Sequence, residues 1–136
     1  SRKKFFELFS FVKKITINIL LVLGVYNLCF FFFAKYFLQL FINENVELIF
    51  SLSLYQNIPI SLSILATCLP SMMDSFGLVK KSFINNLIAT IIYLILIYQM
   101  IDLHGIIGAI YSYIIYYLIW ISLTLLSITK IFRNLI

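Results

Sequence analysis

The stretch from Phe83 to Ile128, "FINNLIATIIYLILIYQMIDLHGIIGAIYSYIIYYLIWISLTLLSI", consists of two apolar runs separated by the short polar segment "DLH". A helix needs about 20 mostly apolar residues to cross the hydrocarbon core of a bilayer, and both runs are about that long. Because lipid offers no hydrogen bonds to the backbone, such runs are expected to be α-helical. The stretch therefore predicts two membrane-spanning helices joined by a tight turn.

Two further apolar runs precede this stretch. Hydrophobic residues make up 63% of the 136-residue chain and charged residues 11%, whereas about a quarter of a soluble domain is charged. We therefore predict an all-α fold, a polytopic membrane helix bundle with four transmembrane helices. The predicted spans cover residues 15–34, 48–69, 83–101 and 105–128, with a basic segment at 1–14 and a tail at 129–136.

The basic residues are distributed unevenly about these spans. If both ends of the chain and the loop after the second span share one side, that side carries nine lysines and arginines, and only Lys35 lies opposite. The nine are Arg2, Lys3, Lys4, Lys13, Lys14, Lys80, Lys81, Lys130 and Arg133. Positive residues favour the cytoplasmic side of a membrane, so both termini are expected to be cytoplasmic.

Asp, Glu, Lys and Arg are absent from the middle of every predicted span. Such residues commonly couple ions to transport or carry out catalysis within the membrane. The two cysteines stand alone and His104 is the single histidine, so no metal-ligand pattern is present. We expect neither an enzyme nor a cofactor, a metal site or a nucleic-acid partner.

Neutral polar residues do occur within the second span. At 3.6 residues per turn, one stripe of its helix contains Ser53, Gln56, Ser63 and Thr67. Asn57 is next to the stripe, and Pro59 removes a backbone donor one turn after Tyr55. Interrupted helices with polar faces are typical of transporter cavities, although such side chains also join packed helices.

The first and third spans add further polar side chains. Asn27 shares a helix face with Thr16. In the third span, Asn85, Asn86 and Thr90 lie near the cytoplasmic end, and Tyr93 continues their face. The candidate cavity residues are therefore Asn27, Gln56, Asn57, Pro59, Asn86 and Tyr93. Hydrogen bonding between helices remains the alternative role for each of them.

The fourth span begins with small residues and continues with aromatic ones. A close helix-packing surface is predicted at Gly105, Gly108, Ala109 and Ser112. The aromatic residues that follow are Tyr111, Tyr113, Tyr116, Tyr117 and Trp120. Their rings could pack against other helices or stack on sugars, and the sequence leaves both roles open.

The stretch "FGLVKKSFINNLIATIIYLILIYQMIDLHGIIGAIYSYIIYYL" resembles the last pair of helices in bacterial polysaccharide flippases of the multidrug, oligosaccharidyl-lipid and polysaccharide exporter superfamily. The residues that carry the resemblance are Gly77, Lys80 and Lys81 in a cytoplasmic loop, Asn86 in the next helix, and Gly105, Gly108 and Ala109 after the outer turn. The upstream segment "FELFSFVKKITINILLVLGVYNLCFFFFAKYFLQLFI" is similar to the basic stretch and span that precede this pair in the family.

The resemblance implies a function and a wider architecture. Family members have twelve helices, so we expect these four to be the last four, packed against the remaining helices of the same transporter. The family moves undecaprenyl-diphosphate-linked oligosaccharide across the bacterial cytoplasmic (inner) membrane for O-antigen, lipopolysaccharide or capsule synthesis. The expected partners are this lipid-linked oligosaccharide and the membrane lipids.

Three other interpretations are compatible with the sequence. The chain could be a small four-span exporter that acts alone. It could be a non-transporting membrane subunit that packs against a larger partner through the surface around Gly108. It could also belong to a glycosyl or acyl transferase whose catalytic residues lie elsewhere.

Overall fold

The computed structural model describes the backbone of residues 2–135, and the side chains within that range except those of residues 2–5, 8, 132, 134 and 135. It contains four α-helices, α1 (Arg2–Phe41), α2 (Val46–Ser75), α3 (Val79–His104) and α4 (Ile106–Leu135). Apart from the short connections, the described backbone is entirely helical. The predicted all-α fold class with four helices is confirmed.

All four helices are long and apolar enough to cross a membrane. The qualifying segments are Phe9–Phe41, Val46–Ser75, Val79–His104 and Ile106–Ile131. Even the shortest of them, with 26 residues, extends about 39 Å at 1.5 Å per residue, which exceeds the roughly 30 Å of a hydrocarbon core. The chain is therefore a multi-pass membrane protein.

The helices extend beyond the spans predicted from hydropathy. The predicted spans 15–34, 48–69 and 83–101 fall within α1, α2 and α3, while residues 106–128 of the fourth fall within α4. The basic segment also belongs to α1 from Arg2 onward. Helical hydrogen bonding does not stop where the apolar run stops, because the adjoining residues also favour helix.

The chain forms two compact units, and the first covers residues 1–54. It includes α1 and the beginning of α2, which are joined by a short turn. Asn45 adopts a left-handed conformation with φ of 58° just before α2, and asparagine tolerates that conformation better than most residues. Lys35 of α1 forms an ion pair with Glu47 in the first turn of α2.

The second unit covers residues 55–136 and includes the rest of α2 together with α3 and α4. The junction between α2 and α3 is a Schellman motif, in which Leu78 N–H donates to the Met73 carbonyl and Gly77 N–H donates to the Asp74 carbonyl. The motif requires a left-handed residue, which is Gly77 with φ of 74°. Gly77, which contributes to the family resemblance, therefore terminates α2.

Helices α3 and α4 pack against each other as an antiparallel hairpin. Gly105 closes α3, with φ of 63° and ψ of −139°, and its N–H donates to the Ile101 carbonyl. Ala89 of α3 and Ser112 of α4 are completely buried. Small residues let two helix backbones approach closely, which is how helices associate in lipid.

Candidate functional site

A group of aromatic side chains of the second unit lies between α3 and α4. We call the group formed by Tyr93, Tyr113, Tyr116, Tyr117 and Trp120 the aromatic cluster. The ring centre of Tyr93 lies 5.1 Å from that of Tyr113 and 5.6 Å from that of Tyr116. Tyr116 also lies 4.9 Å from Tyr117 and 5.8 Å from Trp120. These separations are typical of interacting aromatic pairs.

Asn86 connects the aromatic cluster to α3 by hydrogen bonds. The Tyr116 hydroxyl donates to Asn86 Oδ1 at 2.9 Å, and the Thr90 hydroxyl approaches the same oxygen at 3.3 Å. Both contacts use the amide oxygen of Asn86, whereas its NH2 group takes no part in them. The structure thus brings together two of the predicted cavity residues, Asn86 and Tyr93, on one face of α3.

The neighbouring Asn85 has a different environment. It is 6% exposed, and its Nδ2 donates to Ser127 Oγ at 3.0 Å and to the Leu123 carbonyl at 3.3 Å. The Met73 sulfur of α2 lies 4.0 Å from the same nitrogen. Asn85 therefore joins α3 to α4 and contacts α2, and the sequence pattern had not paired it with Ser127.

The polar residues of α2 mostly bond within their own helix. The Ser63 hydroxyl donates to the Ile60 carbonyl at 2.7 Å, and the Thr67 hydroxyl donates to the Ile64 carbonyl at 2.9 Å. Back-bonding of this kind satisfies a hydroxyl within lipid without a partner helix.

The remaining predicted cavity residues of α2 differ in exposure. Gln56 is exposed, whereas Asn57 and Pro59 are buried. Helix α2 continues through Pro59 and Pro70 without a break. Because proline has no N–H, the Tyr55 carbonyl lacks its usual intrahelical donor.

Asn27 belongs to the first unit. Its side-chain Nδ2 donates to the Leu23 carbonyl at 2.7 Å, one turn earlier in α1. In this unit a cavity of about 350 Å³ is lined mainly by aromatic and aliphatic side chains of α1, with Ser53 from α2. The lining suits apolar material more than sugar hydroxyls.

The predicted packing residues at the start of the fourth span divide into two groups. A Cβ at Gly108 would lie 1.9 Å from the Met100 carbonyl oxygen, so only glycine fits there. Ser112 is completely buried and donates to the Gly108 carbonyl at 2.9 Å. Ala109 is half-buried. Gly105 has open space around it, so its requirement for glycine comes from its positive φ and not from close packing.

Two buried polar atoms of α4 extend this region. Among the residues that the structure describes, Trp120 Nε1 and Thr124 Oγ1 have no hydrogen-bond partner. They are four residues apart and so share one face of α4. Tyr111 lies apart from the aromatic cluster and contacts His104 edge-on at 6.0 Å.

The chemistry available between α3 and α4 is that of neutral hydrogen bonds and aromatic faces. Amide and hydroxyl groups can exchange hydrogen bonds with a polyhydroxylated molecule, and tyrosine or tryptophan rings can stack on sugar rings. The same groups can also hold helices together.

Comparison with known proteins gives no relative for this chain: no family model, no curated protein and no solved structure matches it. The class of protein therefore follows from the fold alone, which is that of an α-helical multi-pass membrane protein.

Proposed function

We propose that this chain is part of a flippase that moves undecaprenyl-diphosphate-linked oligosaccharide across the bacterial cytoplasmic membrane for O-antigen or capsular polysaccharide synthesis. The observation that carries the proposal is the aromatic cluster with Asn86 beside it, within two helices long enough to span the membrane. Uncharged hydrogen-bonding groups and aromatic faces match an uncharged sugar chain. The resemblance of residues 76–118 to the family's last helix pair adds support.

The orientation forms part of the proposal. Nine of the ten basic residues would face the cytoplasm if both termini lie there, in agreement with the distribution of charge in bacterial membrane proteins. The polar face of α3 formed by Asn86 and Tyr93 would then begin near the cytoplasmic surface, where the lipid-linked oligosaccharide is made. Alternating access of the complete transporter would expose this face to each side in turn.

The test is a gene deletion followed by complementation. Loss of a flippase should raise lipid-linked oligosaccharide in the cytoplasmic leaflet and lower glycan at the cell surface. Complementation with Asn86→Ala should restore little surface glycan at an unchanged level of protein. The matched control is Asn18→Ala, because Asn18 is an exposed asparagine of α1. Normal amounts of both glycan pools in a deletion strain without a second flippase would refute the proposal.

A non-transporting membrane subunit is the second candidate. It is favoured by the number of polar groups that already bond within the chain, such as Asn85 with Ser127 and Ser63 with Ile60. No more than 17% of the apolar window of any span is buried, which leaves wide faces for partner helices. Under this hypothesis Asn86→Ala would lower the amount of an assembled complex and leave glycan transport unchanged.

A further inference from the structure

The end of α4 carries a groove that the proposed function does not use. A cavity of about 480 Å³ is lined by Leu126, Thr129, Lys130 and Arg133. These residues are three, four and seven positions from Leu126, so they share one flank of the helix. The groove is thus apolar at one end and doubly cationic at the other.

Both basic side chains of this groove are accessible to a ligand. Lys130 and Arg133 are exposed, and neither forms an ion pair with a residue in the described part of the chain. Their position near the C-terminus of α4 agrees with the negative end of the helix dipole, which favours cations there. The dipole accounts for a positive charge at this end, but it does not account for a cavity beside it.

The depth of the groove in the membrane follows from the hydropathy of α4. The uncharged run of α4 ends at Thr129 and the next residue is Lys130, so Lys130 and Arg133 lie where hydrocarbon gives way to headgroups. Leu126 lies one turn deeper, about 6 Å below Lys130 at 1.5 Å per residue. This order of groups matches an amphiphile whose phosphate contacts the cations while its acyl chain contacts Leu126.

The start of α3 adds positive potential at the same end of the hairpin. Lys80 and Lys81 stand in its first turn, which contains no acidic residue, and the N-cap residue Leu78 forms no side-chain capping bond. Because α3 and α4 are antiparallel and Asn85 bonds Ser127, Lys80 and Lys81 lie at about the same height along the hairpin as the residues between Lys130 and Arg133. Four cations therefore occupy one boundary of the membrane.

We propose that this groove binds an anionic phospholipid, with the phosphate held by Lys130 and Arg133 and an acyl chain against Leu126. Arginine presents a planar fork of donors that matches phosphate oxygens, and lysine adds a point charge. Basic pockets at the ends of transmembrane helices are suited to such headgroups. The proposal holds whether or not the chain transports glycans.

The experiment is a lipid titration of the full 136-residue chain in detergent micelles, with bound lipids counted by native mass spectrometry. Phosphatidylglycerol should bind saturably, and phosphatidylcholine should bind far more weakly. With about 1 kcal/mol for each basic residue near an anionic surface, Lys130→Gln combined with Arg133→Gln should weaken phosphatidylglycerol binding about 30-fold. Arg133→Lys keeps the charge but loses the fork, so it should give a smaller loss.

The matched control removes the same charge elsewhere. Lys13 and Lys14 are also exposed neighbouring basic residues, within α1, and Lys13→Gln combined with Lys14→Gln should leave the affinity for phosphatidylglycerol nearly unchanged. An equal loss in the control would show diffuse attraction and overturn the site. Equal binding of phosphatidylcholine, or binding of a polyprenyl diphosphate without binding of phosphatidylglycerol, would also overturn it.

Discussion

Replacement of Gly108 by alanine should separate the two helices of the α3–α4 hairpin. The added Cβ would lie 1.9 Å from the Met100 carbonyl oxygen and 2.4 Å from the Met100 carbonyl carbon. Ordinary van der Waals contact begins at 3.4 Å, so moving from 1.9 to 3.4 Å requires a separation of 1.5 Å. Both contacting atoms belong to the backbone of α3, so no side chain can move aside.

The energetic cost can be worked from this separation. A gap of 0.5–1 Å already removes a quarter to a half of a dispersion contact, and overpacking costs up to about 3 kcal/mol. Alanine recovers about 1 kcal/mol of that through its higher helix propensity than glycine. We therefore expect Gly108→Ala to lower the free energy of unfolding by about 2 kcal/mol, the difference between these two estimates.

The assay is equilibrium unfolding in mixed micelles with increasing dodecyl sulfate. Trp120, the only tryptophan, reports on the hairpin by fluorescence, while circular dichroism reports on all four helices. The control is Gly24→Ala, because a Cβ at Gly24 meets nothing within 4 Å and should be neutral or stabilising. If Gly108→Ala changes the stability no more than Gly24→Ala does, the close approach of α3 and α4 at Met100 is refuted.

Three further predictions concern single contacts. Tyr116→Phe removes the hydrogen bond to Asn86 and should lower the free energy of unfolding by about 0.6 kcal/mol. A double-mutant cycle with Asn86→Ala in the same unfolding assay should give a coupling energy of that size, and additive effects of the two substitutions would contradict it. Gly77→Ala should lower the free energy of unfolding by about 1–2 kcal/mol, because residue 77 has a positive φ. Gly77→Asn should lower it less, and equal thermal stability of the two variants would count against the Schellman motif. Glu47→Gln breaks the ion pair with Lys35, in which the Lys35 side chain is 40% exposed and the Glu47 side chain 76% exposed. The free energy of unfolding should therefore fall by less than about 1 kcal/mol. A larger loss that added salt does not reduce would contradict this expectation.

The four helices could be predicted from the sequence because the physical constraint is strong. An apolar run of about 20 residues has no alternative in lipid other than an internally hydrogen-bonded helix. The helix ends were less predictable. Hydropathy locates the hydrocarbon, whereas the ends of α2 and α3 depend on local backbone conformation at Gly77 and Gly105.

The roles of the glycines show what a spacing rule omits. Gly105 and Gly108 both satisfy a pattern of small residues four apart, with Ala109 and Ser112 respectively. Only Gly108 is pressed against another backbone, while Gly105 is required by the turn. The distinction depends on where α4 begins. Gly105 lies one residue before the first residue of α4 and reverses the chain, whereas Gly108 lies within α4 and packs against α3.

The candidate site could be predicted in part from helical periodicity. Periodicity grouped Asn85 with Asn86 and Tyr93 on α3. It could not show that Asn86 and Tyr93 contact Tyr116 of α4 whereas Asn85 bonds Ser127. The missing information was the register of the hairpin. Counting back from the turn at Gly105 places Asn85 near Leu123 and Ser127, so this register was available as a signal once the two helices were assumed to be antiparallel.

The adjacent residues Asn85 and Asn86 allow the structural and functional roles of this region to be separated. Asn85 uses its amide NH2 between α3 and α4 and is almost fully buried, so its removal breaks the bonds to the Ser127 hydroxyl and the Leu123 carbonyl that join the two helices. Asn86 is half-buried and uses only its oxygen for Tyr116 and Thr90. Asn85→Ala should therefore lower stability more than Asn86→Ala does in the unfolding assay. If the region binds sugars, Asn86→Ala should have the larger effect on surface glycan per folded molecule. The opposite order in both assays would assign Asn86 to helix packing and leave the proposed transport without its principal residue.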